Sequence, residues 1–207
     1  MTARMLSCLY LNLFVWLLML TGCSVRQTYD KKYYVLSAVR QAESTGAETG
    51  FVLDVRRLTI DSAFGGKRLV YRIGDFEYES DFYNEFLVSP SAMITEKMRN
   101  WLGASGLFER VLDMGSVIDP THVIEGNITT LYGDFRDKSA PAATIEIRVF
   151  LLKAQPSGEP VPVFGKTYES TLAVVSAGSE GLIEALDRCL EEILSTLEKD
   201  LRQKPPL

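Results

Sequence analysis

The side chains able to do chemistry are few, and their spacing excludes most reactions. His122 is the single histidine in 207 residues. One imidazole makes neither a two-histidine zinc pair nor a Ser-His-Asp triad with a histidine to spare. The densest carboxylate set is Glu77, Glu79, Asp81 and Glu85. Paired carboxylates can act as general acid and base. Strand alternation, however, puts Glu77 and Glu79 opposite Phe76 and Tyr78, on what reads as a solvated face. Gly65-Gly66-Lys67 lacks the spacing of a phosphate-binding loop and has no helical pattern behind it. Asp134 and Asp137 lack the pattern of a calcium loop. Asn127-Ile128-Thr129 matches a glycosylation sequon but falls mid-strand. The expectation is a protein that is not an enzyme, with no catalytic residues, no metal and no cofactor.

The thiols say more. From Met5 to Leu20 no charge interrupts a run rich in Leu, Met, Phe, Val and Trp, and Arg4 precedes it. This is the order of a signal peptide. Sixteen helical residues reach about 24 Å, short of the roughly 30 Å of a bilayer core, although a lone membrane anchor is the rival reading. Leu20-Thr21-Gly22-Cys23 then resembles a bacterial lipobox, in which small residues precede a cysteine whose thiol accepts a diacylglyceryl chain. The alternative is an incidental cysteine behind an ordinary signal peptide. The expected organisation is a lipoprotein signal peptide over 1–22, lipidation at Cys23, an acylated tether over 23–32 and one folded domain over 33–207. Cys8 leaves with the signal, so Cys189 is the one thiol left over. It can form no internal disulfide and reads as a small core residue in a helix.

Charge narrows the partners. The chain carries 22 basic and 27 acidic residues, a formal net charge of −5, with no local Lys/Arg cluster. Nucleic-acid binding needs cations to neutralise phosphates, so it is not expected. With 46% hydrophobic and 24% charged residues the composition is that of an ordinary globular chain.

These groups are positioned by the elements around them. Tyr33-Tyr34-Val35-Leu36 reads as a first strand and Arg40 to Gly50 as a polar loop. Phe51, Leu53 and Val55 alternate with Val52, Asp54 and Arg56. The apolar parity then slips to Leu58 and Ile60, the mark of a bulge or bend in one long strand. Gly65-Gly66 reads as a hairpin turn, Leu69 to Ile73 as the returning strand, Gly74-Asp75 as a second turn and Phe76 to Glu79 as a third strand. Phe51 to Glu79 is thus predicted to be a three-stranded antiparallel meander. Ser89-Pro90 starts a helix, with Met93, Ile94, Met98, Trp101 and Leu102 at helical spacing and Gly103 and Gly106 closing it. Four strand-like stretches follow: Phe108 to Leu112, Val123 to Phe135, Thr144 to Leu152 and Val163 to Val174. The last helix carries one stripe of Leu182, Leu186, Cys189, Leu190, Ile193, Leu197 and Leu201. Glu184, Asp187, Arg188, Glu191, Glu192 and Glu198 lie off it. Such a stripe fits packing on a sheet better than a coiled-coil partner. The predicted class is α+β, a mostly antiparallel β-sheet with two helices packed on one face, after a cleaved lipoprotein signal peptide.

One segment stands apart. Phe76, Tyr78, Phe82, Tyr83 and Phe86 crowd together among Glu77, Glu79, Asp81 and Glu85. The stretch Asp81 to Phe86 is turn-rich and without clear period, so it cannot hide every ring on one face. Protein interfaces favour aromatic anchors with a polar rim, which makes Tyr83 and Phe86 candidate partner-binding residues. The alternative is that all these rings are core.

Taken in order, the lipobox, Tyr33-Tyr34-Val35-Leu36, Leu69-Val70-Tyr71-Arg72, Phe82-Tyr83-Asn84-Glu85-Phe86-Leu87-Val88-Ser89-Pro90 and the late amphipathic helix resemble the ABC-type transport auxiliary lipoproteins, the family that includes paraquat-inducible protein C. The likeness spans nearly all of the chain after Cys23. It departs at Phe86, where many relatives have tryptophan. The resemblance implies an outer-membrane lipoprotein, lipid-anchored on the periplasmic face. It would serve an ABC system with a mammalian-cell-entry-type periplasmic subunit that moves lipid between the inner and outer membranes. A neutral Ser24 after the acylated cysteine agrees with outer-membrane sorting. A homo-oligomer stays open. The rival readings are an accessory lipoprotein of an outer-membrane assembly or secretion complex, and a periplasmic hydrolase built on the carboxylates.

Overall fold

The computed structural model describes residues 30–41 and 50–203. Cys23, and with it the expected lipidation site and signal peptide, lies outside the described residues. Among the described residues nine strands form one sheet and two helices cover it. The strands are β1 (Lys32–Tyr34), β2 (Val52–Val55), β3 (Thr59–Ile60), β4 (Arg68–Arg72), β5 (Tyr78–Phe86), β6 (Arg110–Val111), β7 (His122–Asp134), β8 (Ala142–Lys153) and β9 (Val161–Ala173). The helices are α1 (Pro90–Ala104) and α2 (Gly178–Gln203). None of the described helices is long and apolar enough to cross a membrane.

Strand β7 is the spine. On one side it joins β8 in an antiparallel ladder from His122–Lys153 to Asp134–Ala142, and β8 continues antiparallel into β9. On the other side β2, β3 and β4 lie in line along it, all parallel to it. The long ladders are therefore antiparallel, as expected, and the short ones attached to β7 are parallel.

The predicted meander over Phe51 to Glu79 is corrected here. The slip at Leu58 is an interruption in one extended run, as the changed parity indicates, but β2 and β3 do not pair with β4. Gly65-Gly66 opens a loop rather than a hairpin, and the only antiparallel pair in this stretch is β4 with β5. Their turn is closed by the amides of Ile73 and Gly74, which donate to the Glu77 carbonyl. Alternation reports that a segment is extended and which face it buries. It does not report the partner, and here the partner lies some seventy residues away, as in Leu53 beside His122.

The core follows from the alternation. Ala143, Ile145, Ile147, Val149 and Leu151 of β8 all point to the helices and are at most 1% exposed. Their register neighbours Ile128 and Tyr168 continue the same row across β7 and β9. Every residue of the predicted α2 stripe is buried, Cys189 included. At Gly126 a side chain would come within 2.5 Å of the Arg148 carbonyl; the Leu58 side chain, from the interruption between β2 and β3, packs against this position instead. Helix α1 starts as predicted, with Ser89 Oγ accepting from the Ala92 amide and Pro90 in the first turn. It packs near β2 and β6, and it touches α2.

Candidate functional site

The aromatic segment predicted to be turn-rich is strand β5, and its irregular period has a physical cause. Between the pairs Arg68–Glu85 and Val70–Ser80, β4 advances two residues and β5 five. The surplus forms a wide bulge over Asp81 to Asn84. A bulge frees backbone groups from the ladder, and the Asp81 carboxylate takes them up. It accepts from the amides of Tyr83 (2.8 Å) and Asn84 (3.0 Å), from the Asn84 side chain (2.9 Å) and from the Tyr71 hydroxyl (3.0 Å). Burial alone would raise the Asp81 pKa. The hydrogen bonds from Asn84, Tyr83 and Tyr71 outweigh it and hold the carboxyl below its ordinary value. Tyr71 is pushed up to about 12, chiefly by burial, with Asp81 adding to the shift and the Ser179 hydroxyl opposing it. The Asn84 side-chain oxygen accepts from the Tyr34 hydroxyl at 3.0 Å, which ties the bulge to β1.

On the open face of this bulge the Phe82 ring lies between two cations. Lys31 Nζ is 4.9 Å from its centroid and the Arg68 guanidinium 5.3 Å. The Tyr83 ring meets it edge-on at 5.2 Å. Lys31 also donates to Glu85 at 2.6 Å, and that hydrogen bond holds the Glu85 carboxyl below its ordinary range. Phe82 is 54% exposed, Tyr83 42% and Tyr33, on the adjoining β1, 56%. Phe86 is different. Its ring is 2% exposed within the hydrophobic core, so its expected role as a docking anchor is corrected to a packing role. The β1–β5 register pairs Phe86 with Tyr34, where the chain has rejoined the regular ladder and its face is set by the pleat.

The other candidates are not brought together. Glu77 closes the β4–β5 turn, and Glu79 sits opposite Tyr71. His122 is buried edge-on against Phe51 at 4.6 Å, and burial pushes its pKa down. Asp134 pairs with Arg136, and Asp137 caps the Ser139 amide. Lys67 donates to the Leu87 carbonyl. Cys189 is fully buried and burial raises its thiol pKa, which suits packing rather than nucleophilic chemistry. Among the described residues no group of three or more His, Cys, Asp or Glu could hold a metal ion.

A second polar centre went unread in the sequence. After β1 the chain crosses α2 as a strap, and carboxylates of the helix receive it. Asp187 accepts from the amides of Ser37 (2.7 Å) and Ala38 (3.0 Å), and Glu191 from that of Val39 (3.3 Å). Glu198 accepts from Arg40 (2.8 and 3.0 Å), from Trp101 Nε1 (2.9 Å) and from Arg202 (2.9 Å). Burial opposes ionisation of Glu198, but the bonds from Arg40, Arg202 and Trp101 keep its pKa low. A cleft of about 760 Å³ opens beside this network, lined by Arg40, Trp101, Glu198 and Arg202 among others. The available signal was that Asp187, Glu191 and Glu198 share one helix face at spacings of four and seven.

No protein-family model and no curated protein matches the chain. Solved structures do. A Xanthomonas campestris protein described with the family model DUF330 superposes with a TM-score of 0.69 at 16% identity, covering 80% of this chain and 92% of its own. A further crystal structure gives 0.64 at 14% identity, covering 83% and 99%. A Chlamydia trachomatis protein gives 0.50 at 11% identity, covering 73% and 96%. At these identities the likeness is one of fold, over 73–83% of this chain.

Proposed function

We propose that the protein is an outer-membrane lipoprotein, acylated on Cys23 and facing the periplasm, that serves as the auxiliary component of an ABC transport system moving lipid between the two membranes. Its partner is a periplasmic subunit of the mammalian-cell-entry type, and the protein itself does no chemistry. The observation that carries the reading is the ordered set from Leu20-Thr21-Gly22-Cys23 through Leu69-Val70-Tyr71-Arg72 to Ser89-Pro90. The fold shared with the Xanthomonas campestris protein supports it. So does the way the titratable groups are used. Asp81 and Asp187 serve backbone amides, and Glu198, at the wall of its cleft, is taken up by Arg40, Trp101 and Arg202.

The test has two arms. Cys23→Ala should move the protein from the membrane to the soluble fraction, and co-sedimentation at unchanged processed size would overturn the lipoprotein reading. Tagged protein solubilised from membranes in mild detergent should retain a mammalian-cell-entry-type subunit. Recovery of barrel-assembly or secretion components instead would replace the transport reading.

A further inference from the structure

We infer that the Phe82 bulge and the adjoining β1 edge form a foot that rests on the surface of the bilayer. The inference rests on the lipoprotein reading, because it takes Cys23 as the anchored residue. Eight peptide steps separate Cys23 from Lys31, a reach of at most about 26–29 Å when fully extended. The side chain of Lys31 ends on Phe82, so the anchored chain enters the domain at the bulge itself. The tether length bounds how far this corner can lie from the anchored residue.

The corner has the chemistry that a bilayer surface selects. Headgroup regions favour amphipathic rings and the long cationic side chains that accompany them. Here Tyr33, Phe82, Tyr83, Leu87 and Val88 are exposed together. Lys31 and Arg68 flank the Phe82 ring, sharing Glu85 as counter-ion, and Lys67 adjoins the start of β4. Cations near a membrane surface are attracted to anionic lipid. The chain as a whole is acidic, at −5, so cations gathered at one corner run against the overall sign of the molecule. The bulge explains how the rings come to be presented. A regular strand would turn alternate side chains into the core, whereas the surplus residues held by Asp81 keep Phe82 and Tyr83 outward.

The acylated chain, purified from membranes and reconstituted in phosphatidylethanolamine–phosphatidylglycerol vesicles with brominated lipid, tests this. Phe82→Trp places an indole on the foot. Val117→Trp places one on a 97% exposed site in the loop that enters β7, at the far end of the sheet. With the emission of Trp101 subtracted, the indole at 82 should lose most of its fluorescence to the brominated lipid and the one at 117 almost none. Tyr33→Trp gives the same readout should the bulge reject an indole. Vesicle-bound protein with no quenching at 82 or 33, or with equal quenching at 117, overturns the foot while leaving the anchor intact. Wild-type chain that fails to sediment with vesicles overturns the anchor, and the foot with it. A photocrosslinker at Tyr83 that captures a transporter subunit in cells would assign the surface to that protein and overturn the inference.

Discussion

Strands β7, β8 and β9 run 13, 12 and 13 residues, whereas β1, β2, β3 and β4 run 3, 4, 2 and 5. The long strands satisfy one another's backbone groups and bury a row of aliphatic side chains under α2. The short strands cannot, because each ends before its ladder is complete. Backbone amides left out of a ladder still need acceptors, and in this half side chains supply them. Thr121 Oγ1 accepts from the Val52 amide, Thr95 Oγ1 from Leu58, Asp187 from Ser37 and Ala38, and Asp81 from Tyr83 and Asn84. One half is held by apolar area and responds as a unit. The other is held by single polar side chains, each serving a local piece of backbone.

The largest expected effect is in the first half. Leu190→Asp puts a charge at a 0% exposed position and should abolish the cooperative thermal transition. The milder Leu194→Ala, also at 0%, should cost about 2–5 kcal/mol in chemical denaturation. A native melting curve for the aspartate variant would mean that α2 is not integral to the core. Next is the join between the halves. Glu198→Ala removes the carboxylate that Arg40, Trp101 and Arg202 share, and breaking a buried pair typically costs about 3–5 kcal/mol. Amide exchange should show residues 35–40 released as well as a lowered midpoint.

Asp81→Ala should cost about 1–3 kcal/mol, confined to the bulge. Exchange should quicken at Tyr83 and Asn84 while the β8 amides stay protected. If β8 opens in parallel, the two halves form one cooperative unit and the comparison fails. Acid should reproduce this loss without mutation. The folded pKa of Asp81 lies below its ordinary value, so its contribution is complete above that ordinary value, about 3.9. It is lost as pH falls through the folded value. Chemical shifts of residues 81–84 should therefore move only below about pH 4. The smallest effect is Phe82→Ala, an exposed ring whose loss should change stability by less than about 0.5 kcal/mol, so that any functional defect reports on what the ring touches.

The same division governs what could be read from the chain. The antiparallel half was legible because its information is local. Ile145, Ile147, Val149 and Leu151 alternate, and Leu182 to Leu201 repeat at helical spacing, so class, faces and core all follow. In the patchwork half, alternation identified β2, the slip at Leu58 and the irregularity after Asp81, but the partners depend on distant chain. Nothing near Leu53 names His122 as its neighbour. Phe86 was misplaced for a related reason. The bulge resets the strand's parity, and whether the ring after it faces inward depends on how many residues the bulge absorbs. Glu198 resembled any solvated helix residue until Arg40 and Trp101 converged on it.

The position of β7 has a consequence for the order in which the chain can acquire structure. Strands β2 and β3 form their lateral pairs only with β7 and, for β2, also with β6. A growing chain has thus made more than a hundred residues before Val52–Ile60 can pair with the spine. Contacts of such sequence separation slow folding, since the loop must close before the pairing rewards it. The β7–β8–β9 hairpins and α2 are contiguous, so they can assemble first and offer the free edge of β7. The early strands are then latecomers that zip onto a finished template, and until that happens the edge of β7 is the exposed site at which misassociation would begin.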